Sequence, residues 1–257
     1  MYRNTFLSVM FLACCFNGSL CAQSDAQIYE RTCDAKTYPF SDPSPVATPN
    51  NSYYPYFRFD GFSMQAQEKQ WKMVVLENDY VKLTVTPEIG GKIWGAIDKV
   101  NNKEFVYTNG VVKFRDVAMR GPWTSGGIEF NFGIIGHAPT CSTPIDYLTK
   151  KNVDGSVSCH IFSYEWITRT VWNVEISLPK DKAYFTTHTT WFNQSSIDQP
   201  YYQWMNAGYA TKTGTRFYYP GTYSIGHSGD LHPYPIDEEG RDVSWYDNNN
   251  FGASKSL

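Results

Sequence analysis

Residues 118–140 read AMRGPWTSGGIEFNFGIIGHAPT, and they place Arg120, Trp123, Glu129 and His137 among five glycines. If IEFNFG is a strand, Ile128 and Phe130 face one side while Glu129 and Asn131 face the other. A carboxylate beside Trp123 and other aromatic walls is partly desolvated, which raises its pKa and suits it to act as a general acid near neutral pH. His137 follows eight residues later, near enough to return across a hairpin. Its imidazole has the intrinsic pKa of a base or of a group that polarises a hydroxyl. Arg120 offers a fork of donors for a carboxylate or a polar ligand. The plainer alternative is a solvated Glu–Arg pair and a histidine bonded to backbone.

A second concentration of chemical groups spans residues 226–242, GHSGDLHPYPIDEEGRD. It contains His227, Asp230, His232, Asp237, Glu238, Glu239, Arg241 and Asp242. The H-x-x-D and D-x-H spacings can ligate a metal, but DEEGRD reads first as a charged, solvated turn. No C-x-x-C or other standard ligand spacing is present, so a sugar-contacting or structural loop is favoured, with no metal and no cofactor. Tyr218, Tyr219 and Tyr234 flank this stretch and supply aromatic faces. Hydrolysis of a glycoside needs an acid and a second carboxylate. Glu129 is the first choice for the acid, with Asp146 or Asp230 as the second group. Arg120, Trp123, His227, His232, Tyr218, Tyr219 and Tyr234 are the candidate substrate-binding residues.

Such groups need a rigid frame, and the pattern of the chain points to β-structure. In YVKLTVTP, Val81, Leu83 and Val85 alternate with Lys82 and Thr84, the period of a half-buried strand. PEIGG follows as a turn, KIWGAID as a strand, and VNNKEFVY as a turn leading into a third strand. SVSCHIFSYEWITRTVWNVEISLP and AYFTTHTTWFNQS repeat the alternation across a PKDK turn, and PYYQWMNAGYA adds one more strand. No stretch reads as a long amphipathic helix. The expectation is all-β, an antiparallel β-sandwich over residues 61–257 that is incomplete at its C-terminus.

Residues 1–22 read as a signal peptide: Arg3, an apolar run, and a small-residue site after Ala22. Lipidation at Cys14, Cys15 or Cys21 is the competing reading. Both predict export to the periplasm or cell surface, with a lipid anchor as the one route to a membrane. Residues 23–60 are rich in proline and tyrosine and are expected to wrap over the domain in extended form. Cys33, Cys141 and Cys159 would remain after cleavage, allowing one disulfide or three buried thiols. The 257 residues carry a formal charge of −3, unlike the basic footprint of a nucleic-acid binder, so no nucleic acid is expected. Aromatics make up 17% of the chain, enough to serve both a sandwich core and stacking on sugar rings.

VLENDYVKLTVTPEIGGKIWGAIDKVNNKEFVY resembles the opening of galactose-mutarotase-like proteins, where a strand, a PE-x-GG-x-I turn and a further strand begin a β-supersandwich. MRGPWTSGGIEFNFGIIGHAPT, PIDY and YYPGTYSIGHSGDLHPYPIDEEGRDVSWYDNNNFGAS are similar to a family of secreted bacterial proteins of unknown function, whose longer members carry TPR-like repeats after this domain. The resemblance spans about residues 60–257 and implies a sugar-facing sheet. In mutarotase-like enzymes a His and a Glu do acid/base work at the anomeric carbon. Glu129 and His137 lie in the motif most like an active-site rim, although neither aligns by position with that His or Glu, and the mutarotase base normally lies beyond Leu257. The expected function is action on glycans, as a hydrolase or an epimerase. The alternatives are a noncatalytic glycan-binding module and a structural domain that presents following repeats.

Overall fold

Alternating apolar and polar residues sort the chain into two packed sheets. The computed structural model describes residues 24–41, 61–116, 122–132, 137, 139–165, 168–200, 203–226 and 228–249. The expected signal segment, Arg120 and His227 lie outside these described residues. In chain order the strands are β1 (Gln27–Tyr38), β2 (Gln67–Glu77), β3 (Val81–Thr86), β4 (Lys92–Asp98), β5 (Lys103–Val106), β6 (Val112–Lys113), β7 (Arg115–Asp116) and β8 (Pro122–Trp123). They continue with β9 (Ile128–Phe132), β10 (Asp146–Lys151), β11 (Val157–Glu165), β12 (Thr170–Leu178), β13 (Thr186–Asn193), β14 (Gln203–Ala207), β15 (Tyr223–Ile225) and β16 (Leu231–Pro233). The expected all-β sandwich is what forms. No helix among the described residues is long and apolar enough to cross a membrane.

The larger sheet has eight strands in the order β14-β9-β4-β3-β2-β1-β6, with β5 paired to β4. Its pairs are antiparallel except β1 with β6, a departure from the purely antiparallel expectation. The second sheet is β10-β11-β12-β13. Residues 27–38 also depart from the expected wrapping segment. They form β1, eleven residues of which pair with β2, and the prolines of the following run begin only at Pro39. A strand free of proline can join the interior of a sheet because each amide can bond a neighbour.

The core lies between the sheets. Leu76, Leu83, Val85, Ile93 and Phe130 of the large sheet meet Cys159, Ile161, Val174 and Ile176 of the smaller one. Phe132 stacks on Trp172, with centroids 4.5 Å apart and planes 9° from parallel. Burial of each such side chain contributes roughly 1.5–3 kcal/mol. Asn78 ties the layers at one end. Its Nδ2 donates to the carbonyls of Pro179 and Lys182 at 2.7 and 2.8 Å, while its Oδ1 accepts from the amides of Tyr80 and Val81. Cys33, Cys141 and Cys159 are free thiols, so no disulfide joins any two of them; Cys141 and Cys159 are buried, while Cys33 is half-buried. Burial pushes the Cys159 thiol up to about 12, so it behaves as a small apolar core residue.

Candidate functional site

Strand β9 decides where the chemistry sits. Its sequence IEFNF is buried throughout. Ile128, Phe130 and Phe132 enter the core between the sheets. Period-two geometry turns Glu129 and Asn131 to the opposite face of the large sheet. On one side β9 is paired with β14, which sets Asn206 across from Glu129. On the other side Ile93 of β4 pairs with Ile128. Lys92 therefore comes up beside Glu129, on the face away from the core. The turn before β9 requires glycine: Gly127 has φ +69°, and a Cβ there would stand 2.4 Å from the Ile93 carbonyl oxygen.

Glu129 is 2% exposed. Its Oε1 accepts from Asn131 Nδ2 at 2.8 Å and from His137 Nδ1 at 2.7 Å. A carboxylate only accepts, so the imidazole proton lies on Nδ1 and Nε2 is the basic nitrogen. Lys92 Nζ stands 3.9 Å from Glu129 Oε2 and donates to the backbone oxygen and Oγ1 of Thr124 at 2.5 and 2.9 Å. Burial pulls the Lys92 ammonium below its ordinary value, while Glu129 and Cys141 push the other way. The adjacent Cys141 thiol is raised, first by burial and then by the Glu129 charge. A lysine and a glutamate buried together are tolerated only because each faces the other.

Aromatic rings hold the imidazole. Trp204 meets His137 edge-on with centroids 4.7 Å apart, and Trp123 does so at 6.0 Å. The His137 backbone has φ +54°, a left-handed conformation that costs a non-glycine residue about 1 kcal/mol or more and recurs at functional sites. Beside the pair is a recess of about 170 Å³ lined by Lys92, Trp123, Gly127, Glu129, Asn206 and Gly208. Trp123 Nε1 and Glu129 Oε2, on two of its lining residues, are buried without a hydrogen-bond partner among the described residues. One donor and one acceptor left unsatisfied in a small space match a hydroxylated ligand better than an apolar one.

Sequence reasoning paired Glu129 with His137, put Trp123 beside them, and put Asn131 on their face; the structure assembles all four. It does not bring in the proposed second carboxylates. Asp146 is exposed at the start of β10 in the smaller sheet, paired with Phe162. Asp230 is exposed just before β16, where its carbonyl accepts from the Gly226 amide. Neither is among the hydrogen-bond or ion-pair partners of Glu129 and His137. Glu129, the first choice for the acid, is the more buried member of the pair, its side chain 3% exposed against 16% for His137. Lys92, Trp204 and Asn206 were missed. Their proximity depends on which strands neighbour β9, and local sequence carries no such signal.

The other candidates form a separate, exposed group. His232 Nδ1 is 3.8 Å from Glu238, and Tyr219 packs edge-on against Tyr234 at 5.3 Å. Tyr234 donates to the Phe217 carbonyl at 2.7 Å, and Tyr218 is 83% exposed. Asp237 accepts from the Arg241 guanidinium at 2.7 Å and from the amides of Glu239 and Arg241, as a solvated turn requires. No group of three metal-ligating side chains occurs among the described residues.

Comparison with known proteins agrees with this architecture. A TPR-domain containing protein from Parabacteroides distasonis is similar in structure, with a TM-score of 0.70 and 26% identity. The match covers 78% of this chain but 35% of that one, so the chain spans about a third of that protein's length. The model of a domain of unknown function, DUF5107, matches residues 48–257, and the chain belongs to that family.

Proposed function

We propose that the chain is an exported carbohydrate-active domain of galactose-mutarotase-like type, in which His137 performs acid/base chemistry on a saccharide and Glu129 holds it. The observation that carries this reading is the 2.7 Å contact from His137 Nδ1 to a carboxylate that is itself buried against Lys92. Such a carboxylate fixes the imidazole tautomer and stabilises the imidazolium that forms when Nε2 takes a proton. The rings of Trp123 and Trp204 limit water, and the unsatisfied polar atoms nearby suit sugar hydroxyls.

Among the described residues Glu129 is the one carboxylate in contact with His137, which favours epimerase-type over hydrolase-type chemistry. A hydrolase needs two carboxylates about 5 to 9.5 Å apart across the bond. Opening and reclosing a hemiacetal needs a proton taken from the anomeric hydroxyl and one returned to the ring oxygen. An imidazole can do both in turn, taking a proton on one face of the ring and returning it on the other. The test is anomer exchange of a panel of free hexoses, followed by polarimetry, together with reducing-end release from glycans. The intact chain is expected to accelerate exchange and His137→Ala to lose that acceleration. Equal rates for the two proteins would eliminate the assignment.

The exposed tyrosines favour a second reading, a noncatalytic glycan-binding module. Tyr218 and Tyr219 present 83% and 55% of their surface, which suits stacking on a sugar face. Calorimetric binding of glycans that is lost in Tyr218→Ala, with no anomer exchange, would select this reading over the first.

A further inference from the structure

A second hollow lies beyond the recess, over β1 to β4 of the large sheet. It measures about 450 Å³, within the range of small-ligand sites. Its floor is apolar: Met73, Trp94, Ile97 and Val112. Arg31, Cys33 and Ala35 line it from alternate positions of β1, and Lys82 and Thr84 do so from β3. Lys36 adds a third cation; Asp34 and Glu104 are the acids.

Two features mark it as built. At Gly95 a Cβ would stand 2.0 Å from Thr108 Oγ1, so a larger residue would push the Thr108 side chain from its place over β4. The segment that walls the groove at Thr108 and Asn109 is hydrogen-bonded to Gly127 and Gly208, which line the recess. Tyr107 receives the Gly127 amide on its carbonyl and donates its own amide to Gly208, while Asn109 Nδ2 donates to Ser125. On β4, Lys92 lines the recess and Trp94 floors the groove. They flank Ile93, at the point where the register of β4 with β3 shifts, so the two hollows adjoin along one strand. A chain of sugar units can therefore occupy both hollows.

Charge sets the ligand class. Lys82 is engaged by Glu77 at 3.5 Å, but Arg31 is exposed and makes no hydrogen bond or ion pair with any described residue. A guanidinium with no partner among the described residues, above an apolar floor, is a fork for a planar or tetrahedral anion. We infer that this groove binds an anionic saccharide, Arg31 holding its carboxylate or sulfate while a ring lies over Trp94. Glu104 and Asn109 then meet the remaining hydroxyls. The inference rests on the saccharide reading of the recess and names the substrate class for it.

The experiment is calorimetry on the intact chain with trigalacturonate, its carboxyl-reduced trisaccharide and a sulfated galactose trisaccharide, at low and at raised salt. At least one anionic trisaccharide should bind ten or more times tighter than the neutral one, and that preference should shrink with salt. The one that shows the preference identifies the anion as carboxylate or sulfate. Arg31→Ala should abolish the preference and Arg31→Glu should reverse it. Both substitutions are at an exposed strand position, and unchanged circular dichroism would show that the fold is retained. Equal affinity for charged and neutral trisaccharides, or a preference that survives Arg31→Glu, overturns the groove assignment. Failure of the recess reading appears separately, as anomer exchange that does not depend on His137.

Discussion

Two stretches of this chain look equally chemical on paper, and the fold treats them oppositely. Both residues 118–140 and 226–242 hold histidine, acid and arginine among glycines and prolines. In the first, Glu129 is 2% exposed and bonded to His137 and Asn131, with Lys92 as its counter-charge. In the second, Asp237 and Arg241 pair at the surface as a turn, and the His232–Glu238 separation is 3.8 Å with both side chains about half exposed. Water screens the second group, where Asp237 and Arg241 mainly hold each other's charge. The first is screened by protein alone, so each charge there acts strongly on its neighbours. Residue type marks where chemistry is available, and burial decides where it is focused.

The largest test of that contrast is activity. His137→Ala should lower anomer exchange by roughly 100-fold or more, the usual worth of a positioned acid/base group. Arg241→Ala in the exposed turn should leave exchange rates within twofold. A comparable loss from both variants would break the distinction.

Stability gives the next. Lys92→Met strands the Glu129 carboxylate, and loss of one partner from a buried pair costs about 3–5 kcal/mol. Denaturant unfolding should show the midpoint falling accordingly. The double variant Lys92→Met, Glu129→Gln should recover part of the loss, because the stranded charge is gone. If Lys92→Met alone is neutral, Glu129 is not charged as an ion-pair partner of Lys92.

A smaller effect comes from acid. Burial pushes the Glu77 carboxyl up, but hydrogen bonds from Lys99 at 2.7 Å and Tyr29 at 3.1 Å, with the Lys82 charge, bring it below the ordinary value. A depressed folded pKa stabilises at pH above the unfolded value of 4.5, and that contribution is lost as pH falls further. Glu77→Gln should therefore flatten the decline in stability below about pH 4.5, measured by thermal melts across pH. An identical pH profile in the variant would remove Glu77 from the account.

The smallest expected effect is in the exposed turn itself. Arg241→Ala should leave the melting temperature within a degree or so, since surface pairs are screened and entropically costly. A large drop would mean that this turn is packed more tightly than its exposure indicates.

Much of the frame was legible in the chain. Alternation in YVKLTVTP marks β3, KIWGAID after the PEIGG turn reads as β4, and TVWNVEISL alternates along all of β12. Strand β1 was hidden by the proline-rich run after it, and β10, DYLTKK, was hidden by its exposure: a strand with no buried face shows no apolar period. At the site, Glu129 and Asn131 were separable from Ile128 and Phe130 by alternation alone. The second carboxylate was not legible, and Asp146 and Asp230 were chosen by type without any means of judging distance.

The primary structure by itself determined an all-β chain, the turn at PEIGG, the two faces of β9 and the closeness of Glu129 to His137. These depend on local periodicity and on an eight-residue return, which a short segment encodes. Only the tertiary structure decided that β4 and β14 flank β9. That order placed Lys92 and Asn206 beside Glu129, and it left the C-terminal histidine and acids in water. Strand order comes from the packing of residues far apart in sequence, and the electrostatics of the site follow from that order because charge interactions depend on distance and burial rather than on position along the chain.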